Sequence, residues 1–242
     1  MDRTDPRRPD GGLIPGPCRT RAVSLDHVTR SSQGIDGMQA WIGYGAALVC
    51  GYLAGSVPFG LLLTRAAGLG DIRDIGSRSI GATNVLRTGR KDLALATLLL
   101  DSLKAGLVAF AFTWLFGREI GFVAGAMAFV GHCYPVWLGF KGGKGVATYA
   151  GLLPFVSLPG FFVAAPVWLA VFAVTRISSL SALTAAVLVP PGAYLLGEHN
   201  LFIIGGLSLL SAFVFWTHRS NLSRLLKGTE PRFGTSKAKP EA

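Results

Sequence analysis

The sequence predicts an all-α polytopic membrane protein with seven transmembrane helices, and three observations lead to this prediction. Half of the 242 residues are hydrophobic and only 15% are charged, whereas soluble domains carry about 25% charged residues. The apolar residues form runs that are too long for the core helices of a soluble protein. The net charge is +10, and all but one of the lysines and arginines lie between those runs or at the two ends of the chain, as in the loops and tails of membrane proteins.

Six apolar runs supply the seven predicted spans, because one run is double. Residues 146–175 are too long and too often interrupted by proline for one helix. We therefore predict a helical hairpin there, with arms of about 15 residues and a turn near residues 157–159. Pro58 is expected to kink the first run. The runs cover residues 40–64, 93–116, 120–140, 146–175, 181–197 and 201–217.

The basic segments predict the orientation. Of the 17 lysines and arginines in residues 38–242, 15 lie in residues 65–91, in the loop with Lys141 and Lys144, at Arg176 and in the tail after His218. Such segments are expected on the cytoplasmic side. Seven crossings satisfy all four placements, with the N-terminus outside and the C-terminus cytoplasmic.

The two ends of the chain are predicted to lie outside the membrane domain, which covers residues 38–233. Residues 1–37 are polar and contain six arginines, which would oppose the positive-inside rule on the outer side. They are interpreted as a disordered tail or as sequence upstream of a true start at Met38, and the second alternative removes the conflict. Residues 234–242 are predicted to be a disordered basic tail.

Composition argues against several other classes of function. Cys18, Cys50 and Cys133 are widely separated, so neither a disulfide framework nor a zinc site is indicated. The basic residues are divided among separate loops, which does not resemble a nucleic-acid footprint. No metal and no cofactor is predicted.

Two charged residues interrupt the second run. Asp101 and Lys104 are three residues apart, so they share a helix face and can pair. A charge at this depth costs on the order of 3 kcal/mol, so both should face the bundle interior. Two interpretations stay open: a structural ion pair or the wall of a site. His132, in the third run, is interpreted as a helix-packing or interfacial residue in preference to a base.

A glycine–lysine loop follows the third run. Residues 141–145 read Lys-Gly-Gly-Lys-Gly, and successive glycine N–H groups beside lysine suit a phosphate. The loop lacks the spacing of a Walker A motif, which argues against a nucleotide. A flexible basic turn between two membrane helices is the alternative.

Three polar segments fall on the same predicted membrane face: residues 76–87, 141–148 and 218–230. Together they offer arginines, lysines, hydroxyls and one histidine, with few carboxylates. Such a set fits an anionic, hydroxyl-bearing ligand with phosphate groups at the lipid–water boundary. Contact with anionic lipid headgroups is the alternative for each segment taken alone.

Four motifs together resemble one family, the acyl-phosphate-dependent glycerol-3-phosphate acyltransferases of bacterial membranes. The resemblance covers about residues 38–233. It departs at Arg78 and Ser79, where the family usually has Gly-Asn, so the turn of the first loop loses a glycine. The motifs are Gly-Ser-Val-Pro-Phe-Gly at 55–60, Ser-Arg-Ser-Ile-Gly-Ala-Thr-Asn-Val-Leu-Arg at 77–87, Lys-Gly-Gly-Lys-Gly-Val-Ala-Thr at 141–148, and His-Arg-Ser-Asn at 218–221 with Arg-Leu-Leu at 224–226.

The resemblance implies an enzyme of the bacterial cytoplasmic (inner) membrane with its site on the cytoplasmic side. It would move an acyl group from acyl phosphate to the sn-1 hydroxyl of glycerol 3-phosphate, giving 1-acylglycerol 3-phosphate and phosphate. The donor phosphate is expected on the glycine–lysine loop. The catalytic candidates are His218, Asn221, Ser77, Arg87 and Lys144. The substrate-binding candidates are Lys141, Gly142, Gly143, Gly145, Thr83, Asn84, Ser179 and Ser181, with the choice among the serines of 178–181 left open.

The absence of other motifs agrees with this chemistry. The sequence has no Gly-x-Ser-x-Gly elbow, and no histidine is followed five residues later by aspartate. An acyl phosphate is already activated, so positioning and charge stabilisation are expected to suffice. Our hypothesis is that the donor's phosphate takes the hydroxyl proton while His218 orients the acceptor. The alternatives from other classes are a small transporter of a phosphorylated solute and a lipid-binding scaffold.

Overall fold

The structure, a computed structural model, describes the backbone of residues 26–234 and the side chains of residues 37–234. Within that part every regular element is helical, which confirms the predicted all-α class. Residues 1–25 and 235–242 lie outside the described residues, so the predictions for the two tails stay predictions. The α-helices are α1 (Asp26–Gly55), α2 (Phe59–Ala66), α3 (Ala82–Val85), α4 (Lys91–Phe116), α5 (Arg118–Cys133), α6 (Val146–Val156), α7 (Leu158–Thr175), α8 (Ser178–Leu195), α9 (Leu201–Thr217) and α10 (Arg219–Leu226).

Five helical stretches among the described residues are long and apolar enough to cross a membrane, or six if α9 and α10, which bend by 65°, count as one. The five are Gly37–Ala66, Lys91–Phe116, Arg118–Leu138, Leu158–Thr175 and Ser178–Leu195. The apolar helix α6 has only 11 residues. Every predicted span therefore coincides with a helix, while the number of crossings and their orientation stay predictions.

Pro58 interrupts the first span, as predicted. α1 ends at Gly55 and α2 begins at Phe59, because proline has no N–H to continue the helix. Gly55 packs so closely on α5 that a Cβ there would overlap the Ala128 carbonyl oxygen. This backbone-to-backbone contact is the small-residue packing typical of membrane helices.

α6 runs in the same direction as α4 along its second half. The Ser102 hydroxyl donates to the Ala147 carbonyl oxygen at 3.0 Å, and further along the Phe110 and Phe155 rings are 5.6 Å apart. Ser102 is 11 residues after Lys91, the first residue of α4, or about 16 Å along the helix axis. The loop that precedes α6 is therefore recessed along α4 and does not lie level with its start.

This recess explains why the predicted hairpin is uneven. The turn is at Ser157, within the predicted range, where the Ser157 hydroxyl caps α7 by accepting from Gly160 N at 3.3 Å. The arms have 11 and 18 residues, so the prediction of two arms of about 15 residues was wrong. α6 starts deep along α4 and needs only about 16 Å to reach its turn.

One end of the bundle is closed by an ion pair. Arg118, at the start of α5, pairs with Glu198 in the α8–α9 connection and donates to the Val156 carbonyl oxygen at 2.6 Å. The Asn200 side chain caps α9 and also donates to Glu119 at 3.1 Å. These contacts join the end of α6, the start of α5 and the start of α9. The opposite ends of these three helices therefore lie at the other end of the bundle.

Candidate functional site

The connections at the opposite end of the bundle bring the three polar segments together. Thr83 Oγ1 of the first segment lies 3.3 Å from Ser178 Oγ at the start of α8. Thr217 Oγ1 at the end of α9 donates to the Lys144 carbonyl oxygen at 3.2 Å. Ser179 Oγ donates to Glu230 at 2.7 Å. Segments far apart in sequence thus form one surface, as their common predicted face implied.

Asn84 organises the first segment. Its side chain is 1% exposed, and its Nδ2 donates to the carbonyl oxygens of Ile72 at 2.8 Å, Ser79 at 2.9 Å and Ile75 at 3.2 Å. Its Oδ1 accepts from Ser77 N at 3.0 Å. The amide is therefore occupied by the loop itself, and it fixes the backbone that carries Ser77.

The first segment has a left-handed residue at Arg78, where the resemblance leads us to expect a glycine. Arg78 has φ +57°, the left-handed region that glycine adopts freely and that costs other residues about 1–2 kcal/mol. Gly76 also has a positive φ, and a Cβ there would meet the Arg87 side chain. Arginine therefore occupies a strained backbone conformation in this loop, and the Arg87 side chain lies against Gly76.

The glycine–lysine loop is anchored by two of its own amides. Gly142 N donates to the Cys133 carbonyl oxygen at 3.1 Å, and Gly143 N donates to the His132 carbonyl oxygen at 3.0 Å. These two N–H groups are therefore not available to a phosphate. Fewer backbone donors of this loop can bind the anion than the sequence predicted. The loop still ends at the start of α6, where the first N–H groups of a helix have no intrahelical partner.

Gly145 sets the direction in which α6 leaves this loop. It has φ +78°, and a Cβ there would overlap the Phe129 ring. Only glycine satisfies both the left-handed backbone and the contact with the ring. The side chain of the preceding Lys144 is half-buried, whereas that of Lys141 is exposed.

Lys144 lies among cations. Burial lowers its pKa to about 8; Glu230 opposes this shift, while nearby Arg224 and Arg87 contribute to it. Within residues 37–234, no carboxylate is within ion-pair distance of the Lys144 ammonium. Three positive groups from three segments thus produce a positive potential at one point, which suits an anion.

Glu230 joins the third segment together and was missed by the sequence analysis as a site residue. Its carboxylate accepts from Ser179 Oγ at 2.7 Å, Asn221 Nδ2 at 2.5 Å and Arg224 Nε at 2.7 Å. Burial raises its pKa, but these hydrogen bonds outweigh burial and the pKa is lowered. The available signal was that Glu230 is the only carboxylate in residues 218–230.

A helix C-cap returns Glu230 to α10. Gly228 has φ +68°, its N–H donates to the Leu225 carbonyl oxygen at 3.0 Å, and Thr229 N donates to the Arg224 carbonyl oxygen at 2.9 Å. This pair of bonds is the Schellman motif. It reverses the chain, so that the next residue reaches the side chains of its own helix.

His218 is held as a neutral ring. It follows the last residue of α9, and its Nδ1 lies 2.9 Å from the Val214 carbonyl oxygen. A carbonyl only accepts, so Nδ1 carries the proton and Nε2 is an acceptor. Burial and the nearby Lys144 lower the pKa of His218 to about 4. The ring is therefore neutral at physiological pH and is a weak base.

The structure separates the candidate serines. Ser181 Oγ donates to the Ile177 carbonyl oxygen of its own helix at 2.9 Å, whereas Ser179 is bonded to Glu230 and Ser178 to Thr83. Ser179 is thus the serine connected to the third segment. Asn221 is 3% exposed, and its Oδ1 is buried without a hydrogen-bond partner in the described part of the chain.

An apolar groove leads away from this surface. It has a volume of about 680 Å³ and runs between α8, α9 and α10. Its polar end includes Glu230, and its walls include Leu183, Val187, Phe215 and Leu226. The groove suits an extended hydrocarbon group whose polar end lies beside the third segment.

The fold and this surface together define a class: a polytopic helical membrane protein with a cationic, phosphate-suited site at one end of the bundle. The family model described as glycerol-3-phosphate acyltransferase matches residues 45–228. The chain belongs to the glycerol-3-phosphate acyltransferase family.

Two relatives with the same family name are similar in sequence over most of the chain. A protein of Hyphomonas neptunium named glycerol-3-phosphate acyltransferase is 75% identical over 207 residues, which are 85% of this chain and 100% of the relative. One of Maricaulis maris with the same name is 57% identical over 197 residues, 81% of this chain and 90% of the relative.

Two solved structures of one such enzyme are similar to the chain in fold. The chain is similar to the crystal structure of PlsY (YgiH), an integral membrane glycerol 3-phosphate acyltransferase, in its glycerol 3-phosphate form. The TM-score is 0.75 at 34% identity, covering 79% of this chain and 96% of that one. The lysophosphatidic acid form matches with a TM-score of 0.73, at the same identity and coverage.

Proposed function

We propose that this protein transfers an acyl group from acyl phosphate to the sn-1 hydroxyl of glycerol 3-phosphate. The observation that carries the proposal is the convergence of Arg87, Lys144 and His218, from three separate segments, at one end of a membrane bundle of this family. The relatives' names and the two ligand forms of PlsY support glycerol 3-phosphate as acceptor and lysophosphatidate as product. The donor is inferred from the chemistry of the loop.

The donor phosphate is assigned to Lys144, Gly145 and the first turn of α6. The amides of Gly142 and Gly143 hold the loop in place. Because these two residues have no side chain, a ligand can approach the backbone closely. A recess of about 16 Å along α4 supports a lipid donor, because the loop lies close to the apolar part of the bundle. The groove beside α8 and α9 is assigned to the acyl chain.

The acceptor is assigned to Ser77, Arg87, Ser179, His218 and Asn221. Arg87 suits the phosphate of glycerol 3-phosphate. The buried Oδ1 of Asn221 and Nε2 of His218 are acceptors that suit its hydroxyl groups. Thr83, Asn84 and Ser181 are assigned to holding the segments in place, and the exposed Lys141 to weak attraction of the anion.

The reaction follows from this arrangement. The sn-1 hydroxyl oxygen attacks the acyl carbonyl carbon, the bond from that carbon to the phosphate oxygen breaks, and the hydroxyl proton passes to the departing phosphate. His218 Nε2 accepts the hydrogen bond of the hydroxyl and orients it. With a pKa of about 4, His218 is too weak a base to take the proton efficiently near neutral pH. Lys144 and the α6 N-terminus stabilise the negative charge that the phosphate gains.

The membrane arrangement belongs to the same proposal. The bundle crosses a bacterial cytoplasmic (inner) membrane seven times, with the N-terminus outside and the site on the cytoplasmic face. The clustering of basic segments at the site end supports this orientation. The ion pair argues against the transporter alternative, because Asp101 and Lys104 are compensated by each other inside the bundle and neither is an unpaired charge facing a solute.

The test uses the purified full chain in detergent micelles with acyl phosphate and glycerol 3-phosphate. We expect lysophosphatidate and phosphate in equal amounts, and no product when an acyl-CoA or acyl carrier protein thioester replaces acyl phosphate. Product from a thioester and none from acyl phosphate would overturn the assigned donor. No lysophosphatidate from any donor would overturn the proposed activity, and uptake of glycerol 3-phosphate by proteoliposomes would then favour the transporter.

A further inference from the structure

A cluster of three buried ionisable side chains lies beside the glycine–lysine loop: Asp101 and Lys104 of α4 and His132 of α5. Asp101 is 1% exposed, His132 3% and Lys104 8%. Lys104 Nζ lies 2.7 Å from Asp101 Oδ1, 2.8 Å from the Val57 carbonyl oxygen and 3.0 Å from His132 Nδ1. The ammonium is hydrogen-bonded to the Val57 carbonyl oxygen and to His132 Nδ1. Asp101 Oδ1 is within ion-pair distance of Lys104 Nζ and 3.5 Å from His132 Nδ1, but it has no hydrogen-bond partner within the described residues.

The ammonium determines which nitrogen of His132 carries the proton. Lys104 can only donate, so Nδ1 of His132 accepts and is unprotonated, and the neutral ring has its proton on Nε2. This tautomer is opposite to that of His218, whose Nδ1 donates to a carbonyl oxygen. A charge-assisted hydrogen bond thus fixes the orientation of the His132 ring from the α4 side.

The other edge of His132 supports the loop. A Cβ at Gly143 would overlap Nε2 of the His132 ring, so the ring lies directly against the loop backbone. The His132 carbonyl oxygen also accepts the Gly143 N–H at 3.0 Å. Lys144 follows Gly143 directly, so any shift of His132 is passed to the residue that faces the anion.

We infer that Asp101, Lys104 and His132 are positioning residues for the glycine–lysine loop. The buried ion pair holds the His132 ring, the ring and its carbonyl hold Gly143, and Gly143 holds Lys144 and the start of α6. None of the three side chains is assigned to the substrate. The identity of the ligand rests on the proposed function, whereas the support of the loop rests on these contacts alone.

The decisive variant replaces the ion pair with apolar residues of similar size, Asp101→Leu with Lys104→Met. Replacing both members of a buried pair often leaves stability unchanged or raises it, so this variant is expected to fold. The His132 ring nevertheless loses the donor at its Nδ1. A misplacement of about 1 Å can cost on the order of 100-fold in activity, so we expect the KM for acyl phosphate to rise at least about tenfold.

Two further measurements on the same variant serve as controls: the KM for glycerol 3-phosphate and the thermal stability. The KM for glycerol 3-phosphate is expected to change less than about twofold, because its assigned ligands are not held by this cluster. The thermal unfolding midpoint should stay close to that of the wild type, because removing the buried pair offsets the loss of the hydrogen bonds to Val57 and His132. A purely structural role predicts the same midpoint with a wild-type KM for acyl phosphate, and that result would overturn the inference.

Gly143→Ala gives a second test that does not alter the ion pair. The added methyl group strikes the His132 ring, and His132→Ala relieves the overlap. If the ring sets the loop, the double variant is no worse than His132→Ala alone. Fully additive losses in the KM for acyl phosphate contradict this role of the ring.

Binding of inorganic phosphate separates this inference from the proposed function. Isothermal titration calorimetry of the detergent-solubilised full chain is expected to give a Kd at least about tenfold weaker for Asp101→Leu/Lys104→Met. The matched control is Arg118→Gln at the opposite end, which should lower stability without changing this Kd. A wild type that binds phosphate but forms no product refutes the donor assignment, and the Kd of the variant still decides the positioning role. Equal affinities overturn it.

Discussion

Lys104 and Lys144 are both drawn away from water, and their surroundings are opposite. The Lys104 ammonium has three acceptors within 3.0 Å, one of them a carboxylate. Lys144 has Glu230 nearby, but also Arg224 and Arg87. Within residues 37–234 no carboxylate lies at ion-pair distance from its ammonium. A buried charge whose partners are inside the protein has little to gain from a ligand, and removing one partner is strongly destabilising. A charge that is not paired inside the protein is stabilised when an external anion binds. The comparison distinguishes a structural lysine from a binding lysine, although the two types of residue look alike in the sequence.

The largest expected effect is on stability. Lys104→Met leaves Asp101 charged and unpaired inside the bundle, which should lower the free energy of unfolding by about 3–5 kcal/mol. Circular dichroism during denaturation in mixed micelles measures it. The matched control, Lys141→Met, removes an exposed lysine and should change the value by less than about 0.5 kcal/mol. If the Lys104→Met protein is as stable as this control, Lys104 is not a structural lysine.

Neutralising Lys144 should instead affect turnover. Lys144→Met is expected to lower kcat/KM for acyl phosphate by about 10²–10³, the loss typical of removing one preorganised charge-stabilising donor. The free energy of unfolding should not fall, because burial of the charged ammonium opposes folding. Initial rates of phosphate release, together with the same unfolding measurement, provide both quantities. A loss of stability without a loss of rate would make Lys144 a structural lysine like Lys104.

The pH dependence of anion binding should reveal the free Lys144. Its pKa of about 8 predicts that ionisation of Lys144 leaves the Kd for inorganic phosphate almost unchanged about one pH unit below this value. The Kd should be about doubled near pH 8 and should approach a tenfold rise per pH unit beyond about pH 9. Lys144→Arg should remove this rise, because arginine stays charged. The sign for stability is opposite: between pH 8 and the ordinary value of 10.5 the unfolded chain binds more protons, so stability increases with pH. A wild-type Kd that is constant to pH 9.5 contradicts the assignment.

The smallest effect concerns a cation at the same end that serves neither role. Arg78→Gly should stabilise the protein by about 1 kcal/mol, because glycine relieves the left-handed backbone. Its effect on phosphate affinity should be less than about twofold, because Arg78 is exposed and exposed charges are screened. Arg78→Ala removes the same charge but keeps a Cβ, so it should not stabilise. Equal stabilisation by both variants would mean that charge, and not backbone strain, is relieved.

Much of the fold could be predicted from sequence because its determinants are local. Pro58 separates α1 from α2, and Pro159 lies in the first turn of α7, where a proline is tolerated. Pro154 and Pro166 remain inside helices, but the hairpin turn was predicted within its observed range at Ser157. The lengths of the two arms were not predictable. They depend on how far the glycine–lysine loop descends along α4, which is a contact between Ser102 and Ala147, 45 residues apart.

The site was predicted as a set of residue types, and its internal assignments were not. Ser178, Ser179 and Ser181 are equivalent as sequence, but only packing decides that Ser179 reaches Glu230 while Ser181 bonds to its own helix. Glu230 itself was missed as a site residue. It reaches Asn221 only because the helix C-cap at Gly228 reverses the chain, and the sequence pattern did not predict this cap. The two amides that anchor the loop likewise depend on carbonyl oxygens of α5.

The sequence by itself determined the helical membrane class, the positions of the helix breaks and the three segments that carry the chemistry. These follow from hydropathy, proline and charge, which act over a few residues. Only the tertiary structure decided which lysine is compensated and which is free. The field at an ammonium is set by neighbours within a few ångströms, and in this protein those neighbours come from helices that are distant in the chain.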